Sequence, residues 1–189
     1  MREEHNDFPK SVDAHNRSGK AKASEMEHAI RWHIKVSMDK DPALYTQFSE
    51  RLQRILDEHK EHWDVIVQEL NRLRDDMAKG RNKEGQFVPE HVAPFLDLIL
   101  MHTGTEKTDA KLLKKIAPLS IKVFETCRGY LMIPNIWKKN SECKKWSTEL
   151  QDELEYCGID EISTKAAILT TEIINLAKSR KGEVLRANG

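Results

Sequence analysis

Glycine is scarce in this chain, with eight among 189 residues. None belongs to a G-x-x-x-x-G-K-[ST] loop or another Gly-rich phosphate cradle, and no G-x-S-x-G turn presents a nucleophile. A self-sufficient nucleotide-driven or hydrolytic enzyme is a poor fit to such a sequence. The three cysteines, Cys127, Cys143 and Cys157, form no C-x-x-C pair and are odd in number, which excludes a disulfide framework and predicts free thiols in a reducing, cytoplasmic compartment. No apolar run approaches the roughly 18 residues of a membrane span, so no membrane partner is expected. Net charge is also lacking: 31 basic side chains balance 31 acidic ones. No global field draws in nucleic acid or an anionic surface. Convincing strand alternation, internal repeats and low-complexity blocks are absent as well.

What is present is helical periodicity. Residues 1–19 are polar and aperiodic and read as a flexible lead-in or linker. From Lys20 to Met38 the period is helical: Met26, Ala29, Ile30, His33 and Ile34 fall on one face, with Ser24 and Glu27 at the capping-box spacing. Trp32 and Val36 form a flanking stripe, which suggests a helix covered on more than one side. Asp41-Pro42 is a start signal, a capping side chain followed by a residue suited to the first helical turn. An apolar stripe follows through Tyr45, Phe48, Leu52, Ile55, His59, Trp63, Ile66, Leu70, Leu73 and Met77. It predicts one long helix near residues 42–78, either projecting or broken around His59–His62, and ended by Gly80. Further helices are expected from about Pro94 to Met101, from Asp109 to Ile116, from Pro118 as a new or kinked helix to about Leu131, from about Ile136 to Tyr156, and from Glu161 to Lys178. In the helix from Ile136, the side chains of Ile136, Trp137, Cys143, Trp146, Leu150 and Leu154 are predicted to face inward. Residues 102–105 read as a turn and 179–189 as a loose basic tail. The predicted fold is an all-α, irregular bundle of six to eight helices, with residues 20–178 as a single domain.

Few side-chain groupings carry chemistry. Glu25-Met26-Glu27-His28 is a single E-x-x-H, without the second copy a di-iron bundle needs. His28 and His33 are five apart and diverge on the helix; His33 falls on the apolar face, where a packed histidine is the default. His59 and His62 stand at i, i+3 and suit a shared zinc ion. A metal-binding protein using His28, His59 and His62 is therefore the alternative from a different functional class. Asp39 or Asp41 with Glu58-His59-Lys60 has the composition of a nuclease triad, but the helical period denies it the strand hairpin it needs. Lys111, Lys114, Lys115 and Lys122, then Lys138, Lys139, Lys144 and Lys145, are candidates for phosphate contact. The acidic residues interrupting them (Asp109, Glu125, Glu142) favour ordinary solvated faces.

One stretch is more distinctive. The run Lys22 to Val36, containing Glu27-His28-Ala29-Ile30-Arg31-Trp32-His33-Ile34-Lys35-Val36, is followed by Asp39-Lys40-Asp41-Pro42-Ala43-Leu44-Tyr45 and by Leu52-Gln53-Arg54-Ile55-Leu56. It resembles the helical C-terminal region of the R (restriction and translocation) subunit of type I restriction–modification enzymes. The segment from Ile136-Trp137 to Leu154 is similar to a later part of that region. Trp32 stands where the family often has a second histidine. The resemblance, over about residues 20–157, implies a helical domain that helps dock the R subunit onto the methyltransferase and specificity subunits and lies near DNA. The nuclease and ATP-driven motor that define such subunits have no motif here. The chain is therefore expected to be a separated C-terminal domain with no catalysis and no cofactor. Glu27, His28, Arg31 and Lys35 are the expected partner contacts, with Lys111, Lys114 and Lys115 adding DNA-backbone contact.

Overall fold

The computed structural model describes residues 18–81, 87–103 and 110–187. Among them the chain is all α, with no strand. It divides into two compact units, residues 1–38 with 45–82 and residues 39–44 with 83–189, where the sequence pattern suggested a single domain.

The first unit holds α1 (Gly19–Ser37), most of α2 (Pro42–Glu58) and α3 (Trp63–Lys79). Helix α1 starts earlier than the Ser24 capping box predicts. Ser18 is the N-cap, its Oγ accepting from the Ala21 N–H at 3.4 Å. The intervening Lys20-Ala21-Lys22-Ala23 are strong helix formers that carry the helix back past Ser24. Helices α1 and α3 begin together: a Cβ on Gly19 would lie 3.1 Å from the Trp63 Cβ, and the Lys20 ammonium sits 5.5 Å over the Trp63 ring. Helix α2 runs the opposite way, pairing Tyr45 with His33 (ring centroids 5.8 Å apart) and Arg51 with Asp76. His33 is thus half-buried in packing. The buried stripes are Ala23, Met26, Ile30 and Ile34 on α1, Phe48, Leu52 and Ile55 on α2, and Ile66, Leu70, Leu73 and Met77 on α3.

The expected long helix is therefore two. Glu58 ends α2 and Trp63 begins α3, with Glu61 at φ 68° in the connection. The physical reason is burial: one helix of ~36 residues would span ~54 Å and leave half its stripe in water, whereas reversal lets both halves bury theirs. Gly80 ends α3 at φ 72°, ψ −140°, a conformation that glycine adopts without the clash a Cβ would bring.

The second unit is built on α4 (Ala93–Thr103). Every residue from 92 to 100 is buried, as expected of a helix that is apolar almost all round. Against it pack α5 (Ala110–Leu131), α7 (Asp160–Ser163) and α8 (Ala166–Ser179), and α6 (Asn140–Glu155) and α9 (Lys181–Arg186) pack on α5 and α8. Phe95 and Phe124 meet edge to face at 5.5 Å, locking α4 to α5. Helix α5 is continuous through Pro118 rather than restarting there. Leu113 and Ile116 before the proline share a buried stripe with Val123, Phe124 and Cys127 after it, and their joint burial outweighs one missing hydrogen bond on an exposed turn. Trp137 lies in a short 3-10 turn and is 37% exposed rather than inward, tilted against the buried Trp146 with Lys178 over its outer ring.

The expected final helix is split into α7 and α8 at Thr164-Lys165, and residues 181–186 of the expected loose tail form α9, which buries Val184; residues 188–189 lie outside the described residues. Residues 39–44 belong to this unit. Asp41 caps α2 as its sequence predicts, its Oδ1 accepting from the Leu44 N–H at 3.2 Å, and Arg180 donates to the Lys40 carbonyl at 2.8 Å. Of the expected lead-in, only Ser18 and Gly19 fall among the described residues; of the expected 102–105 turn, His102 and Thr103 instead continue α4, because its apolar stripe carries the helix to them, and residues 104 and 105 lie outside the described residues. No described helix is long and apolar enough to cross a membrane.

Candidate functional site

The residues singled out in the sequence fall into two groups, one in each unit. Glu27, Arg31 and Lys35 form one row along α1, because four-residue steps return to the same side of a helix, with Glu27 half-buried at the edge of the buried stripe; His28, Trp32 and Val36 form the neighbouring row. Glu27 accepts from Arg31 Nε at 2.8 Å, and Arg31 Nη2 reaches Gln53 on α2 at 3.5 Å. His28 and Lys35 are exposed. Trp32 is 58% exposed and Val36 50% exposed. The flanking stripe is therefore left open rather than covered. Such an aromatic is a large apolar surface left in water, amid the charges of one helix face.

Lys111, Lys114 and Lys115 project from the solvent face of α5, with Leu113, Ile116 and Ala117 buried behind them. Lys122 continues that face. The histidines set aside for metal do not converge with a third ligand: among the described residues, no group of three His, Cys, Asp or Glu side chains is placed to hold an ion. His62 serves the α2–α3 connection instead, its Nδ1–H donating to the Lys60 carbonyl at 3.0 Å.

Sequence reasoning missed a groove between α5 and α6, an open space of about 880 Å³ lined by Lys122, Tyr130, Lys144, Thr148, Asp152 and Tyr156 among others. The two helices run antiparallel there and are joined by a polar ladder. Thr126 Oγ1 donates to Glu153 Oε1 at 3.0 Å, Lys122 Nζ lies 3.5 Å from the same oxygen, and Tyr130 donates to Glu149 Oε2 at 2.7 Å. Burial, helped by the Glu149 carboxylate, pushes the Tyr130 phenol up to about 12, so it remains a donor at neutral pH. The Tyr130 ring stacks on Trp146, with centroids 5.6 Å apart and planes at 6°. Beneath the ladder the Cys127 thiol is fully buried; loss of hydration raises its pKa, which keeps it neutral and unreactive. The available sequence signal was the repeated four-residue step, Thr126 to Tyr130 and Glu149 to Glu153, beside each helix's buried stripe. Pairing of the two steps depended on which helices become neighbours.

No family model, curated protein or solved structure matches the chain.

Proposed function

We propose that this chain is an assembly module without catalysis of its own, acting as the C-terminal domain of a type I restriction–modification R subunit. In this reading it docks that subunit onto the methyltransferase and specificity subunits, and the lysines of α5 add contact to the DNA backbone. The Glu27 to Val36 run and the Asp41-Pro42 turn support the family reading. The observation that carries a docking role is Trp32, standing 58% exposed in a row of α1 with His28 and Val36, beside the neighbouring row that holds Arg31 and Lys35. Half-exposed tryptophan next to arginine is the composition from which binding hot spots are built. Glu27 and Gln53 hold the Arg31 guanidinium in place, which lowers the entropy lost when a partner engages it.

The test is capture of a purified methyltransferase–specificity complex by this chain. Trp32→Ala should weaken capture at least ~30-fold, the change expected of a hot spot worth about 2 kcal/mol. Arg31→Ala should weaken it less, and neither should change the melting temperature by more than about 2 °C, since both side chains are largely solvated. Capture that is undiminished by Trp32→Ala, or absent from the parent chain, would overturn the reading. In the same preparation, Lys114→Ala with Lys115→Ala should lower the salt dependence of duplex DNA binding without changing complex capture.

A further inference from the structure

We infer that the groove between α5 and α6 binds an organic cation, an ammonium or guanidinium group, through the carboxylates of Glu153 and Asp152 and the ring of Tyr156. Three independent features lead there. First, Glu153 is only 9% exposed, and it is half satisfied. Its Oε1 is used by Thr126 and Lys122, whereas Oε2 is buried without a hydrogen-bond partner. A carboxylate has about four acceptor sites, and a buried unused oxygen is costly. Glu153 helps to line the groove, so a donor entering there approaches this carboxylate.

Second, the end of α6 has the wrong charge for a helix C-terminus. The last carbonyls of a helix carry partial negative charge and favour cations. The final turn of α6 instead holds Asp152, Glu153 and Glu155, with no basic residue. Lys122, reaching across from α5, is the ammonium that answers Glu153. Lys145, which with Lys144 also lines the groove, is paired with Glu142 at 3.2 Å. An incoming cation would relieve both the helix end and the unused carboxylate oxygen.

Third, Tyr156 closes α6 with its side chain 82% exposed. It stands one turn beyond Asp152 on the same helical face, so a cation held by Asp152 is within reach of the ring for a cation–π contact. The shared chemistry fits a free polyamine or a basic side chain of a peptide. The site is separate in sequence and in unit from the α1 face, so it stands or falls independently of the docking role.

The experiment is amide-shift mapping by NMR on the whole chain, titrated with spermidine and with acetyl-Gly-Arg-Gly-amide. The expected result is saturable shifts at Tyr130, Thr148, Asp152 and Tyr156, with Kd at or below about 1 mM. Asp152→Asn and Glu153→Gln should each weaken binding by about fivefold or more, and Lys144→Ala should strengthen it. Asp152 is exposed, so its variant keeps the test decisive if Glu153→Gln disturbs the fold. Saturation by the peptide alone assigns the site to a partner's side chain, and saturation by spermidine alone assigns it to a free polyamine. Either supports the inference. Absence of saturation with both probes, unchanged affinity in both carboxylate variants, or saturable binding of inorganic phosphate lost in Lys144→Ala would overturn it.

Discussion

Arg51 and Asp76 show how far a single pair reaches in the first unit. Arg51 Nη1 donates to Asp76 Oδ2 at 2.7 Å, and Lys79 approaches the other oxygen at 3.4 Å. The Arg51 hydrogen bond is the largest influence on this carboxyl. With Lys79 it outweighs the modest opposing effect of desolvation and holds the group below its ordinary value of 3.8. A carboxyl whose folded pKa is depressed adds stability that is complete above its unfolded pKa and is lost as pH falls through the folded one. Both side chains are more than a third exposed, so solvent screening keeps the contribution to at most about 1 kcal/mol. Arg51→Met should therefore lower unfolding free energy by up to that amount at pH 7. The difference from the parent should shrink once the pH passes below 3.8, as urea denaturation at pH 7 and pH 3 will show. The pair links residues 25 apart. No local rule placed them together, and only the reversal of α2 into α3 did so.

At the scale of elements, start and stop signals were legible where they are local chemistry. Asp41 caps as its position before Pro42 implies, and Gly80 ends α3. The signals failed where packing competes with them. Ser24 and Glu27 have the spacing of a capping box, yet stronger helix formers extend α1 back to Gly19. Pro118 reads as a new start or a kink, and α5 runs through it because buried side chains on both sides of the proline need one continuous stripe. That continuity has a cost, since proline in an exposed helix interior is about 3 kcal/mol less favourable than alanine. Pro118→Ala should raise unfolding free energy by about 1–3 kcal/mol, measured by chemical denaturation followed by circular dichroism. A loss of stability would mean that the proline sets a bend on which the α4–α5 packing depends.

For the molecule as a whole, equal numbers of acidic and basic side chains give a pI near 7.1. With so little net repulsion, solubility should pass through a minimum near neutral pH and rise on either side, as precipitation by polyethylene glycol at graded pH will show. Composition and period by themselves determined the helical class, the packed place of His33, the solvated lysines, and the local starts and ends of several helices, because these follow from side-chain geometry within a few residues. Division into two units, the burial of α4 on every side, the open position of Trp32 and the convergence of Tyr130 with Glu149 and of Thr126 with Glu153 were decided only by the tertiary structure. Each depends on which helix becomes the neighbour of which. That choice is made by the total apolar area buried across the fold, a sum over distant residues that no local pattern contains.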